Sequence, residues 1–256
     1  MMLRLALLLL LLLPLPAQAE LVRDGVARVT SVVDGDTLLL DTGREVRLVG
    51  LQAPKLPLGR RNFQSWPLAE DAKAALEELT QDRALALSYG GARQDRHNRL
   101  LAHLHRSEDG LWIQGEMLRR GMARVYSFPD NRAVVGQMLA LERAARAARR
   151  GIWGHPYYRV LDHTEAGRFI DSFQLVEGRV LAAQRRGNRA YLNFDADWRS
   201  DFTVALDNRA LRLFEQAGID PTEMAGKKIR IRGWLKSFNG PAIDATHPEQ
   251  IEVLDE

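Results

Sequence analysis

The order of its short apolar runs constrains this chain more than any other feature. Three runs rich in β-branched residues and leucine, at 26–33, 37–41 and 44–49, follow one another with Asp-Gly and Thr-Gly pairs at the turns. A helical periodicity then predicts a helix over 67–81, with Leu68, Ala72, Leu76 and Leu79 on one face and Pro67 suited to the first turn. Two more strands are expected at 84–89 and 99–105. A short helix over 112–120 should close at Gly121, and a long Ala/Arg-rich helix over 132–150 at Gly151. Three strands, a helix and two strands is the order of a small Greek-key barrel of the OB type. After a connector at 157–173 the order returns, with strands at 174–183, 189–194 and 202–206, a helix at 208–217, and strands at 227–235, 242–246 and 250–254. The expected fold is mainly β with helices (α+β): an OB-fold barrel within 20–156 and a C-terminal OB-like barrel within 174–256.

Residues 1–19 are expected to lie outside that fold. Arg4, an unbroken apolar run at 5–13, Pro14 and Pro16, and then Ala17-Gln18-Ala19 follow the order of an export leader with a small-x-small cleavage site. The run is too short for a permanent membrane span. A periplasmic or secreted mature chain starting at Glu20 is expected, with no stable membrane span. With no cysteine in the sequence, disulfides, thiol catalysis and cysteine metal sites are excluded. Charge is uneven: residues 20–160 hold 22 basic and 17 acidic side chains, residues 174–256 hold 12 and 13. A polyanionic partner should favour the first half.

Val32-Val33-Asp34-Gly35-Asp36-Thr37, then Arg47-Leu48-Val49-Gly50-Leu51-Gln52-Ala53-Pro54, resembles the thermonuclease (staphylococcal nuclease) family. Asp95-Arg96-His97-Asn98-Arg99-Leu100-Leu101-Ala102, Gly121-Met122-Ala123-Arg124-Val125-Tyr126 and Gly151-Ile152-Trp153 follow in the same order and spacing. The resemblance spans about residues 25–154. It implies an OB barrel of thermonuclease type that binds single-stranded nucleic acid or another phosphate-containing ligand and, when active, cuts nucleic acid with calcium as cofactor. On this resemblance Asp36 matches the first metal carboxylate, and Arg47 and Arg99 match the two catalytic arginines that hold the phosphate. Gln52 falls where the second metal Asp belongs, Ala53 where a carbonyl binds the metal, and Lys55 where the Glu that serves the attacking water belongs. Asp36 against Arg47, Arg99 and Lys55 gives a cationic site suited to phosphate rather than calcium. Calcium-dependent phosphodiester hydrolysis is therefore expected to be weak or lost. Lys55, Arg96, His97, Tyr126 and Phe128 remain as nucleic-acid contacts, the two aromatic rings as stacking platforms.

Other readings stand beside this one. A carboxylate from Glu70 or Asp71 could restore an active nuclease, and an envelope adaptor could use both barrels for contacts with a protein partner. Tyr126 and Phe128 could pack the barrel against the last helix, and Arg47 could pair structurally with Asp36. His103 and His105 share a strand face without a third metal ligand. Arg143, Arg146, Arg149 and Arg150 read as a solvated helix face. Asp195, Asp197 and Asp201 lack the spacing of a calcium loop. Arg230, Arg232 and Trp234 share one face of a strand that could meet a nucleic-acid strand.

Overall fold

The computed structural model describes residues 21–197 and 199–254, so the expected leader at 1–19 lies outside the described residues. In the first half, β1 (Val22–Asp34), β2 (Thr37–Leu40), β3 (Glu45–Leu48), β5 (Ala84–Tyr89) and β6 (Leu100–Arg106) close into a barrel in the order β1-β2-β3-β6-β5. The short strands β4 (Leu51–Gln52) and β7 (Arg124–Val125) pair beside it. Helices α1 (Ala69–Thr80), α2 (Ile113–Arg119) and α3 (Val135–Ala147) sit where the periodicity puts them. Their apolar faces, including Leu76, Leu79, Met117, Leu118, Met138 and Leu139, join Leu38, Val46, Leu48, Leu85, Leu87 and Leu104 in one core. The barrel is thus built from the alternation expected of half-buried strands.

Two glycines set the geometry near the site. A Cβ on Gly35 would lie 2.7 Å from the Ala53 Cβ and 2.8 Å from the Ala72 Cβ, so only glycine lets the β1–β2 turn close onto the 53–55 segment and α1. Gly121 takes φ +69° and packs against the Arg150 carbonyl, which holds the turn after α2 to the turn after α3.

In the second half, hydrogen bonding divides the expected strands between two sheets instead of joining them in one ring. β8 (Leu161–Asp162), β9 (Phe173–Arg179), β13 (Lys228–Trp234) and β16 (Ile251–Val253) form a four-stranded sheet in the order β16-β13-β9-β8. β10 (Ala182–Arg186), β11 (Arg189–Asn193), β12 (Thr203–Leu206), β14 (Lys236–Ser237) and β15 (Pro241–Asp244) form a second, ordered β10-β11-β12-β15-β14. The run expected as one strand at 174–183 breaks at Val180, whose N–H and carbonyl bond to Lys227 and Gly226, and its two parts enter different sheets. Helix α4 (Asn208–Gln216), capped by the Asp207 side chain, packs Leu211 and Phe214 into the shared core.

The segment at 157–173 is more than a connector. Leu161 and Ala166 are buried in the second core, and β8 pairs in parallel with β9. Tyr158 ties the same segment back to the first half by donating to the Pro67 carbonyl at 2.7 Å. The two halves also share a buried ion network. Arg232 of β13 meets Glu142 of α3 at 2.9 Å and Glu252 of β16 at 2.6 Å. Among the described residues no helix is long and apolar enough to cross a membrane.

Candidate functional site

The site grows from the Asp34-Gly35-Asp36 turn. Register shifts in the β1–β2 pairing precede it, and such bulges re-aim side chains at barrel rims. Asp36 is fully buried, and one of its oxygens accepts from the Ala53 backbone N–H at 2.8 Å. Arg47, on β3 beside Thr37, reaches the other oxygen at 2.7 Å and also donates to the Asp36 and Leu51 carbonyls. Lys55 is placed by the extended Ala53-Pro54 step and by its carbonyl, which accepts from Trp66 N–H. Its ammonium lies 2.6 and 2.7 Å from the two Asp36 oxygens and 3.1 Å from Asp34 Oδ2.

Four charges are therefore bound together, two carboxylates and two cations, and the cluster is neutral. Burial pulls Asp36 upward, but Arg47 and then Lys55 outweigh it and hold the carboxyl well below the usual carboxylate range. Asp34 moves the other way. Its burial and the Asp36 charge push it up, against the pull of Lys55.

This corrects the cationic site expected from the sequence. That reading leaves out Asp34, the second carboxylate on Lys55, and counts Arg99, which makes ion pairs of its own. Arg99 is paired with Asp95 at 2.7 Å and faces Glu45 at 3.6 Å. Among the described residues no hydrogen bond or ion pair joins it to Asp36. Asp95 organises that loop by accepting from the His97 and Arg99 N–H groups, and exposed Arg96 stands beside exposed His97. The 95–99 loop is held by its own bonds where it enters β6, whose Leu101 pairs with Arg47.

Gln52 is buried too. Its side-chain oxygen accepts from Arg124 Nε at 3.0 Å and Nη2 at 2.8 Å across the β4–β7 pair. Tyr126 packs edge-on against Phe128 at 4.9 Å and against Phe173 of β9 at 4.7 Å, and its hydroxyl accepts from the Trp234 indole at 2.9 Å. Its ring is committed to the junction between the halves, while Phe128 and Trp234 stay exposed. Glu70 and Asp71 are exposed in the first turn of α1, with no ion pair or hydrogen bond to the Asp36 cluster.

The residues present do not fit a calcium ion. Calcium takes about six to eight oxygen ligands, carboxylates foremost. Here an ammonium already sits on both acidic side chains, and the position of the second metal carboxylate holds Gln52, a neutral side chain committed to Arg124. Among the described residues no three His, Asp or Glu side chains gather to hold a metal. His103 is buried against Trp112, whose indole donates to it, and Asp201 instead caps its own loop by accepting from the Phe194 N–H.

Sequence reasoning did not find Asp34 as the second seat for Lys55, or Arg124. Asp34 stands inside the Asp-Gly-Asp turn, and its proximity to Asp36 was the available signal.

A closed five-stranded barrel with this turn, arginine and helix arrangement defines a nuclease-type OB fold. Residues 45–155 match the family described as staphylococcal nuclease homologue. A curated relative from Oryza sativa subsp. japonica, named probable staphylococcal-like nuclease CAN1, is 26% identical over 134 residues, covering 52% of this chain and 36% of the relative. A protein of Capnoides sempervirens described as an uncharacterized 38.1 kDa protein is 30% identical over 130 residues, covering 51% of this chain and 34% of its own length. The match with each thus covers about a third of that relative's length.

Proposed function

We propose that this chain binds single-stranded nucleic acid through its staphylococcal-nuclease-type barrel without calcium, that it hydrolyses the strand weakly or not at all, and that it does so after export. The observation that carries the reading is the Lys55 ammonium, seated within 2.7 Å of both oxygens of Asp36. A tethered cation there neutralises the carboxylates that a metal would need, and Glu70 and Asp71, exposed on α1, make no hydrogen bond or ion pair to the cluster. Loss of a positioned general base alone costs about 10²–10⁴ in rate. Binding keeps more of its parts. The 56–66 loop carries exposed Arg61 and sets Arg60 over the Phe63 ring at 3.7 Å, and Arg96 and Phe128 are exposed. Aromatic platforms among cations suit a single strand of any sequence. Export rests on the leader-like order of residues 1–19.

The test is an oligonucleotide binding and cleavage assay on the mature chain, in calcium and in chelator. Equal binding in both, falling steeply with salt, and cleavage at background are the expected results. Brisk calcium-dependent cleavage that disappears in Asp36→Ala would overturn the reading.

A further inference from the structure

Most arginines around the site are already matched with carboxylates: Arg47 with Asp36, Arg99 with Asp95, Arg232 with Glu142 and Glu252. Arg124 is different. Only 5% exposed, it has one polar partner among the described residues, the neutral side-chain oxygen of Gln52. The rest of its surroundings are rings. Phe173 lies 4.7 Å from the guanidinium carbon, and Trp66 and Tyr158 lie 6.0 Å from it. Glu142, whose charge it feels, is bonded to Arg232, Arg146 and the Val125 N–H. Burial lowers the Arg124 pKa only to about 10, so the side chain stays charged at neutral pH.

A buried cation without a counter-charge is costly, and folded chains pair or neutralise such groups. Nη1 has no hydrogen-bond partner among the described residues, yet it is not sealed from solvent. Trp66, one of the rings on the guanidinium, also lines a groove of about 540 Å³ with Phe63 and Tyr157. We propose that Arg124 is an anion subsite at the seam between the two halves, which takes a phosphate oxygen on Nη1. Phe173 from the second half covers the guanidinium, so the subsite needs both halves. The anion chemistry is common to free phosphate and to the phosphodiester of a strand; assigning the strand rests on the reading above, assigning the anion does not.

Gln52→Glu tests this directly, because it gives Arg124 an internal carboxylate with almost no change of shape. Thermal midpoints are measured with inorganic phosphate and with chloride at equal ionic strength, and binding is measured with a labelled oligodeoxythymidylate. Phosphate should raise the wild-type midpoint and leave that of Gln52→Glu unmoved, and the variant should bind the oligonucleotide at least about tenfold more weakly, the loss of one charge-assisted contact. Arg124→Met is the second variant: it should fold as stably as wild type and lose the phosphate response. The assignment is overturned if phosphate does not shift the wild type, if Gln52→Glu keeps both responses, or if Arg124→Met is strongly destabilised, which would make Arg124 a structural group. A phosphate shift without oligonucleotide binding keeps the anion subsite and rejects the nucleic-acid reading. Oligonucleotide binding that Gln52→Glu leaves intact, with the phosphate response lost, keeps the anion subsite and places the strand away from Arg124.

Discussion

Two buried ion clusters in this chain use the same chemistry to different ends. At the seam between the halves, Arg232 is 1% exposed and Glu142 not at all, while Glu252 at 7% and Arg146 at 15% form the outer edge of the network. In the barrel, Asp34 and Asp36 are equally buried, but the side chains of Arg47 and Lys55 keep 14% and 19% of their exposure. The first cluster joins residues 90 apart in sequence, whereas the second is assembled within one barrel from residues 34–55. A sealed pair has no substitute partner, so removing one member strands the other in a medium that cannot solvate it. A half-open pair can recruit water or an ion when its partner leaves. Access to solvent, rather than the number of charges, separates a clamp from a site whose occupants can exchange.

The largest effect should come from the clamp. Glu142→Gln leaves Arg232 under-compensated and turns one of the two oxygens that accept from Arg146 and from the Val125 N–H into a donor. It should lower the stability of the whole chain by about 3–5 kcal/mol, read from urea unfolding. Asp34→Asn in the barrel should cost only about 0.5–1.5 kcal/mol, because Lys55 keeps Asp36 and reaches solvent. Equal losses would remove the distinction between the clusters. Wild-type unfolding in two separate transitions would show that the seam does not bind the halves.

Acid should separate the regions next. At the seam His247 is fully buried, with Ser127 Oγ 2.8 Å from one ring nitrogen and Thr246 Oγ1 2.9 Å from the other. Burial pushes its pKa down to about 4, and burial and then His105 push that of His103 to about 3. Both are neutral in the fold but would protonate near pH 6.5 in the unfolded chain. The unfolded state therefore binds more protons below that pH. Stability is full above about pH 6.5 and is lost as pH falls toward the folded values, by a few kcal/mol in all as an order of magnitude. Asp36 should hold on longer, since a lowered carboxyl pKa keeps its contribution until pH falls below the ordinary carboxylate range. His247→Gln should flatten part of the slope between pH 6.5 and 4, and Lys55→Met should leave it alone. An unchanged slope in His247→Gln would move the acid sensitivity away from the seam.

What could be read from the sequence follows from how local each cause is. Alternation and turn residues mark the strands because a strand's two faces are written every second residue. The Asp36–Arg47 pairing also had a local signal, since both residues lie in short motifs one hairpin apart. Arg232 shows the limit. It alternates with Ile229 and Ile231 as an outward residue should, yet that face is covered by α3 of the other half, so its burial comes from a partner 90 residues away. The isolation of Arg124 likewise depends on Phe173 and Tyr158, which no spacing around residue 124 reveals. Arg99 has a closer partner than the sequence suggests: Asp95, four residues before it, accepts from its guanidinium and its N–H.

The smallest expected effect is an absence, and it tests the cluster most directly. Wild-type chain should unfold at the same temperature in calcium and in chelator, because the Lys55 ammonium occupies the space between Asp34 and Asp36. Lys55→Glu exchanges that ammonium for a third carboxylate facing the same two, with Arg47 as the only cation left in the cluster. In chelator this variant should lose stability through like-charge repulsion. Calcium at ten to a hundred times its Kd should then return about 1–3 kcal/mol, seen as a rise in midpoint that magnesium reproduces less well. Adding Gln52→Asp should contribute little further, because residue 52 faces Arg124 across β4 and β7, and an aspartate there would be drawn to that guanidinium before any metal. A calcium shift in the wild type would show that Lys55 yields its seat, and the barrel cluster would then be an exchangeable metal site after all. No shift in Lys55→Glu would show that Asp34 and Asp36 are as inflexible as the clamp at the seam, and the contrast between the two clusters would fail.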